Sequence, residues 1–200
     1  MIYAGFWLRL GSSIIDFLVL LPVVFLYFKL RSISLTVAIS ITVPYFFVWS
    51  IYNIYLHGSR GQTVGKIVTR LKVTKVNGCS INYYQAFLRH SVDLLFSIFL
   101  SIAFVLAYLS IAETTTDPWG MISLNGLLYN NIPSWGHWAN HASSLWVMSE
   151  LIVLLFNEKK RALHDFIAGT VVIDLRNKVV IHDSSIDEKL DAVLAKLDAE

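Results

Sequence analysis

The chain has 200 residues, 56% of them hydrophobic and only 15% charged, with a mean hydropathy of +0.60. A soluble domain carries about 25% charged residues, so this chain lacks the charge to cover a water-facing surface and reads as an integral membrane protein of one domain. The net charge of +2 argues against a nucleic-acid partner, and the one cysteine, Cys79, excludes an internal disulfide and a cysteine-based metal cluster.

The first apolar run covers about 8–28 and contains Pro22. Arg9 is the only basic residue before or within it, and no small-residue cleavage site follows before Lys29 and Arg31, so it is expected to be a retained spanning helix rather than a signal peptide. Arg9 stands at its entrance and Asp16 about two turns further in. A helix advances roughly 100° and 1.5 Å per residue, which puts the pair on nearly one face, about 10 Å apart. A carboxylate at that depth costs several kcal/mol if it faces lipid, so Asp16 is expected to face protein or a water-filled cavity.

After a short connection, a second span is expected over 33–56, with Pro44 near its middle and Asn53 near its end. Both prolines should kink their helices. The segment 57–84 is polar and basic. Val64, Ile67, Val68 and Leu71 recur at helical spacing, which suggests an interfacial helix with lysine and arginine outward. Leu71 to Val76 then alternates, Asn77-Gly78 is a strong hairpin turn, and Cys79 to Tyr83 would return.

A third span is expected over 86–112. Arg89 and His90 stand at its entrance, and Asp93 follows Arg89 by one turn, stacking the two on one face. Ser97, Ser101, Ala103 and Ala107 offer small residues for close helix packing. The stretch 113–141 has no lysine or arginine and holds Trp119, Trp135 and Trp138, so it reads as a loop on the outer surface. His137 and His141 have a spacing that suits a metal, but no carboxylate or cysteine completes a set, and interfacial histidines are the favoured reading.

The fourth span, 138–156, is the least obvious and carries Glu150 in its apolar body. His164-Asp165 follows, then a short β pattern at Val171–Asp174 that Val179–Ile181 is expected to pair with. The tail 184–200 reads as an amphipathic helix with a capping box at Ser185/Glu188.

Basic residues concentrate between spans two and three and after span four, which by the positive-inside rule puts both termini in the cytoplasm of a multi-pass cell-membrane protein. Asp16, Asp93 and Glu150 then share one depth in the inner half of the bilayer, with Asn53 on the same side and Arg9 and Arg89 below them. The expected fold is an all-α four-helix transmembrane bundle over 1–183, with small cytoplasmic β-hairpin elements and a C-terminal helix.

The sequence resembles the RDD family of membrane proteins. The resemblance rests on Tyr3-Ala4-Gly5-Phe6-Trp7-Leu8-Arg9-Leu10 with Asp16, on Gly61-Gln62-Thr63-Val64-Gly65-Lys66, on Ala86-Phe87-Leu88-Arg89, and on Lys160 to Val172. It covers residues 3 to about 174 in order. Arg9 and Asp16 match the arginine and first aspartate of the family's name, and Asp93 and Asp165 are both candidates for the second. The resemblance implies a membrane protein with transport suggested, and no settled molecular function.

Two functions fit these residues. One is a transporter or cation/proton exchanger in which Asp16, Asp93 and Glu150 exchange and Arg9 and Arg89 tune them. A four-span bundle is thin, so this reading expects a homo-oligomer. The other is a membrane scaffold in which Arg9–Asp16 and Arg89–Asp93 are static pairs and the basic loops meet a partner or anionic lipid. No nucleophile elbow, zinc motif or phosphate loop is present, so neither an enzyme nor a cofactor is expected.

Overall fold

The computed structural model describes residues 2–114 and 121–176. The strand expected at 179–181, the tail helix and Trp119 lie outside them. Four long helices carry the fold: α1 (Phe6–Leu30), α2 (Leu35–Arg60), α4 (Tyr83–Thr114) and α6 (Ser134–Phe156). Each contains a stretch long and apolar enough to cross a membrane. Their outer faces carry large, exposed apolar side chains, such as Phe25, Ile51, Leu145 and Phe156. In water such a surface would drive aggregation; in lipid it is the solvent-matched face.

Between and after the spans lie the short helix α3 (Val64–Val68), strand β1 (Leu71–Lys75), helix α5 (Met121–Asn131), the short helix α7 (Leu163–Ile167) and strand β2 (Thr170–Asp174). Helix α5 replaces part of the expected outer loop. Leu124 and Leu128, one turn apart, bury against Ala38, Ala107, Tyr108 and Ile111, which closes the end of the bundle remote from the strands. Ala103 and Ala107 are fully buried, as their small size foretold, and the Ala103 methyl leaves no room for a side chain at Gly136 of α6. Arg31, in the connection between α1 and α2, turns inward: its guanidinium lies 4.5 Å over the Phe28 ring and bonds Asn125 at 2.5 Å.

The sheet differs from the expected hairpin. The Asn77-Gly78 turn forms, with Gly78 at φ +84°, but Cys79 to Tyr83 supplies only a bridge from Ser80 to Thr74. The true partner of β1 is β2, antiparallel, with Val73 opposite Val172. A local pattern of alternation cannot name a partner a hundred residues away.

This sheet exposes a repeat. Helix α3 starts from Thr63 (φ −83°, ψ 172°) and ends through Thr69 into left-handed Arg70 (φ 56°), then β1 begins. Helix α7 starts from Ala162 (φ −84°, ψ 171°) and ends through Ala168 into left-handed Gly169 (φ 65°), then β2 begins. The strand register is symmetric about Val73–Val172. The flanking bridges obey the same symmetry: Tyr3, just before α1, pairs with Ile173, and Ser80, just before α4, pairs with Thr74. The chain is thus two similarly ordered halves, bridge–α1–α2–α3–β1 and bridge–α4–α6–α7–β2, with α5 inserted in the second. Each half opens with an arginine near the start of its first helix, Arg9 and Arg89.

Candidate functional site

Both arginines turn away from the partners their sequence spacing suggests. Asp165, fully buried at the start of α7, binds them together. Arg9 Nη1 donates to its Oδ2 at 2.7 Å, and Arg89 Nη1 donates to its Oδ1. Thr170 Oγ1 donates to Oδ1 at 3.0 Å, and the Ala162 backbone N–H donates to Oδ2 at 3.1 Å, so one carboxylate also caps its own helix. Burial alone would raise this carboxyl, but the Arg89 and Arg9 guanidinium groups beside it hold it well below the usual carboxylate range. Arg9 belongs to the first half and Arg89 and Asp165 to the second, so the cluster ties the halves together.

Asp16, expected to pair with Arg9, serves α3 instead. Its Oδ1 accepts from Tyr52 Oη (2.7 Å) and the Gly65 N–H (2.7 Å), and its Oδ2 accepts from Thr63 Oγ1 (2.6 Å). Thr63 also caps α3 by accepting from the Lys66 N–H. Gly65 permits the approach: a Cβ there would stand 1.9 Å from the Ser12 carbonyl oxygen and 2.9 Å from Asp16 Cγ. Gly61, at φ +71°, ends α2 in the left-handed conformation so that the chain can turn into α3. The Gly61–Lys66 segment is therefore a docking device for α1.

The docking fixes the direction of Lys66. The expectation that α3 lies in the interface with its basic side chains outward holds for Arg70 but not for Lys66. Ile67 and Val68 are the exposed residues; Lys66 instead lines a cavity of about 360 Å³. The first half contributes Arg9, Ser12 and Ser13 from α1 and Lys66 from α3; the second contributes Arg89 and Asp93 from α4, Glu150 from α6 and His164 from α7. The cavity therefore lies between the halves.

Among the described residues, Lys66 Nζ donates no hydrogen bond and has no carboxylate oxygen within 4 Å. Burial first, and then Arg89, push its ammonium down to about 8; Asp16 and Asp165 act in the opposite direction, and Arg9 adds to the depression. Arg89 is 4% exposed, and its Nε has no acceptor.

The other wall is acidic. Asp93, expected to pair with Arg89, meets His90 Nδ1 at 3.2 Å. Glu150 Oε1 lies 2.5 Å from His164 Nδ1. Arg89 Nη2 lies 2.8 Å from His164 Nε2 and has only hydrogens to offer. Nε2 must therefore accept, which places the imidazole proton on Nδ1, donating to Glu150. The second oxygens, Asp93 Oδ1 and Glu150 Oε2, accept no hydrogen bond among the described residues. Asn53 does not reach this cavity; its Nδ2 donates to Trp49 O, and its own carbonyl oxygen meets His57 Nδ1.

The sequence named Arg9, Arg89, Asp93, Glu150, His164 and Asp165, and the structure gathers these six around one point. It separates Asp16 and Asn53 from them. Lys66 was missed as a site residue. No local pattern marked it, because its inward direction follows from Asp16 holding Thr63 and Gly65 against α1.

A family model for the RDD family matches residues 3–169. The chain belongs to the RDD family. It is 26% identical over 179 residues to the uncharacterized protein YckC of Bacillus subtilis (strain 168), covering 84% of this chain and 83% of that one. No solved structure matches.

Proposed function

We propose that this RDD family protein is a proton-coupled membrane transporter whose substrate path passes through the cavity between its two halves. The observation that carries the reading is the split between spent and unspent charges. Asp165 is saturated by its clamp of Arg9, Arg89, Thr170 and Ala162, and Asp16 is saturated by α3 and Tyr52. Lys66, Asp93 and Glu150 keep free bonding capacity and face one cavity. A purely structural cluster has no use for unpaired charges within the membrane, where each is costly. Transporters built from two similarly oriented repeats hold their substrate where the repeats meet, which is where this cavity lies.

In this reading Glu150 and His164 are the proton-exchanging pair. Protonating Glu150 Oε2 keeps the His164 bond at Oε1, so the proton can be loaded without dismantling the clamp. The exchanging role that the sequence suggested for Asp16 passes to Glu150, with Asp93 beside the same space. The basic loops and Lys159, Lys160 and Arg161 then lie on the cytoplasmic face with both termini.

The clamp itself favours a narrower structural role for Arg9, Arg89 and Asp165, which here coexists with transport. The experiment is proton movement in proteoliposomes with an internal pH dye, driven by imposed gradients of sodium, potassium, chloride or sulfate. At least one gradient should move protons in the wild type, and Glu150→Gln should abolish the movement while eluting as a folded protein. Failure of all four gradients, or normal movement in folded Glu150→Gln, removes the reading.

A further inference from the structure

The two halves are alike in order but not in packing. The repeat matches α1 with α4 and α2 with α6, so the α1–α6 seam is the counterpart of the α2–α4 seam. Helices α2 and α4 pack along their lengths, from His57 against His90, through Phe46 against Phe104, to Ala38 against Tyr108. Helices α1 and α6 barely touch. The cavity occupies this unclosed seam: Leu10 and Ser13 of α1 line one side, and Val147 and Leu151 of α6 line the other. Other elements cover its remaining sides. Arg89 and Asp93 of α4 stand at the back, Lys66, His164 and Val172 close the end nearest the strands, and Trp49 of α2 lies at the opposite end. Val147, on the rim, is 52% exposed, among the apolar side chains that α1 and α6 turn to the bilayer. The cavity therefore opens sideways into hydrocarbon.

We propose that the cavity binds a membrane amphiphile with a primary ammonium head, of the phosphatidylethanolamine type, which enters from the bilayer through the α1–α6 seam. The site goes beyond the transport reading and stands whether or not ions pass through the same cavity. A mouth in hydrocarbon is reached from the bilayer, so the ligand it admits carries hydrocarbon of its own. The lining is graded to suit such a molecule. Phe6, Leu10, Val147 and Leu151 give the seam an apolar surface, and the charged groups lie behind them. The head reaches the charges while the chains stay between α1 and α6, where they cover apolar surface that the missing helix pair leaves open.

Charge and bonding capacity select the head. The cations Arg9, Lys66 and Arg89 stand against the four carboxylates Asp16, Asp93, Glu150 and Asp165, which leaves one negative charge in excess. Asp93 Oδ1 and Glu150 Oε2 accept no hydrogen bond among the described residues. A primary ammonium brings the opposite charge and three N–H donors. The quaternary ammonium of phosphatidylcholine has the same charge and no N–H, and the head of phosphatidylglycerol has no cation. These three lipids therefore separate hydrogen bonding, charge and apolar contact.

The test is native mass spectrometry of the full chain released from micelles that hold equal amounts of phosphatidylethanolamine, phosphatidylcholine and phosphatidylglycerol. The wild type should retain one phosphatidylethanolamine, preferred about tenfold over either other lipid, the worth of a hydrogen bond to a charged group. Val147→Trp narrows the mouth from the lipid side and should lose this molecule. Leu145→Trp, on the same helix, more exposed and outside the cavity lining, should keep it. Glu150→Gln removes the excess charge and should cut the preference for phosphatidylethanolamine over phosphatidylcholine about fivefold. No retained lipid, equal retention of all three, a preference for either other lipid, or the same retention in both tryptophan variants overturns the proposal. If Val147→Trp does not fold, an unchanged preference in folded Glu150→Gln overturns it. Selective retention with no proton movement under any gradient keeps this site and removes transport. Proton movement by a chain that retains no lipid does the reverse.

Discussion

A double-mutant cycle on Arg9 separates the pairing suggested by sequence from the pairing in the fold. Asp165 is fully buried and accepts from Arg9, Arg89, Thr170 and Ala162. Asp165→Asn keeps the shape but leaves two buried guanidinium groups without their anion. Breaking a buried pair from one side costs about 3–5 kcal/mol, and two stranded cations put this variant at the upper end. Arg9→Gln loses the Asp165 bond and the bonds to the Ala4 and Lys160 carbonyls, but Arg89 still neutralises Asp165, so about 3 kcal/mol is expected. Because the two side chains meet at 2.7 Å, the double mutant should recover about 1–3 kcal/mol of the summed loss. Arg9→Gln with Asp16→Asn should be additive within about 0.5 kcal/mol, because their partners are disjoint. Thermal unfolding in detergent at pH 7, followed by loss of the monodisperse elution peak, ranks the wild type, the three single mutants and the two double mutants. Arg9 coupled more strongly to Asp16 than to Asp165 would falsify the clamp.

Gly65→Ala should cost more than about 3 kcal/mol and sharply reduce folded yield, because its Cβ would stand 1.9 Å from a backbone oxygen; folded protein at wild-type yield would mean that α3 docks otherwise. Lys66→Met should raise stability at pH 7 by about 1–3 kcal/mol, because it removes a buried cation beside Arg9 and Arg89. The sign has a pH window. The Lys66 pKa is lowered to about 8 in the fold, against about 10.4 unfolded. Between these values the unfolded state binds more protons, so the wild type gains stability with rising pH and approaches Lys66→Met; a gap that widens over this interval contradicts the assignment. Exposed Cys79, beside the Thr74–Ser80 bridge, should resist an impermeant thiol reagent in intact cells and react after permeabilisation; labelling in intact cells inverts the orientation.

The spans and the charged residues near them were legible in the sequence, because hydrocarbon imposes a length and an apolar composition that local reading detects. The same logic marks Arg9, Arg89, Asp93 and Glu150 as residues that must find protein or water, since a charge facing lipid is too costly. It does not say with which partner. Helical spacing pointed Arg9 to Asp16 and Arg89 to Asp93, because periodicity knows only neighbours on one helix. The fold sends both arginines to Asp165, more than seventy residues from either. That choice depends on the β1–β2 pairing, which brings the ends of the two halves together, and no local pattern encodes a register between distant strands. Lys66 shows the same limit. A lysine in a short amphipathic stretch is expected to face water, and its inward direction comes from Asp16 gripping Thr63 and Gly65 against α1. Composition and period thus determined which residues enter the membrane. Tertiary packing decided which charges are spent on holding the two halves together and which remain free in the cavity between them, because a buried charge is satisfied by whatever donors the whole fold brings within reach.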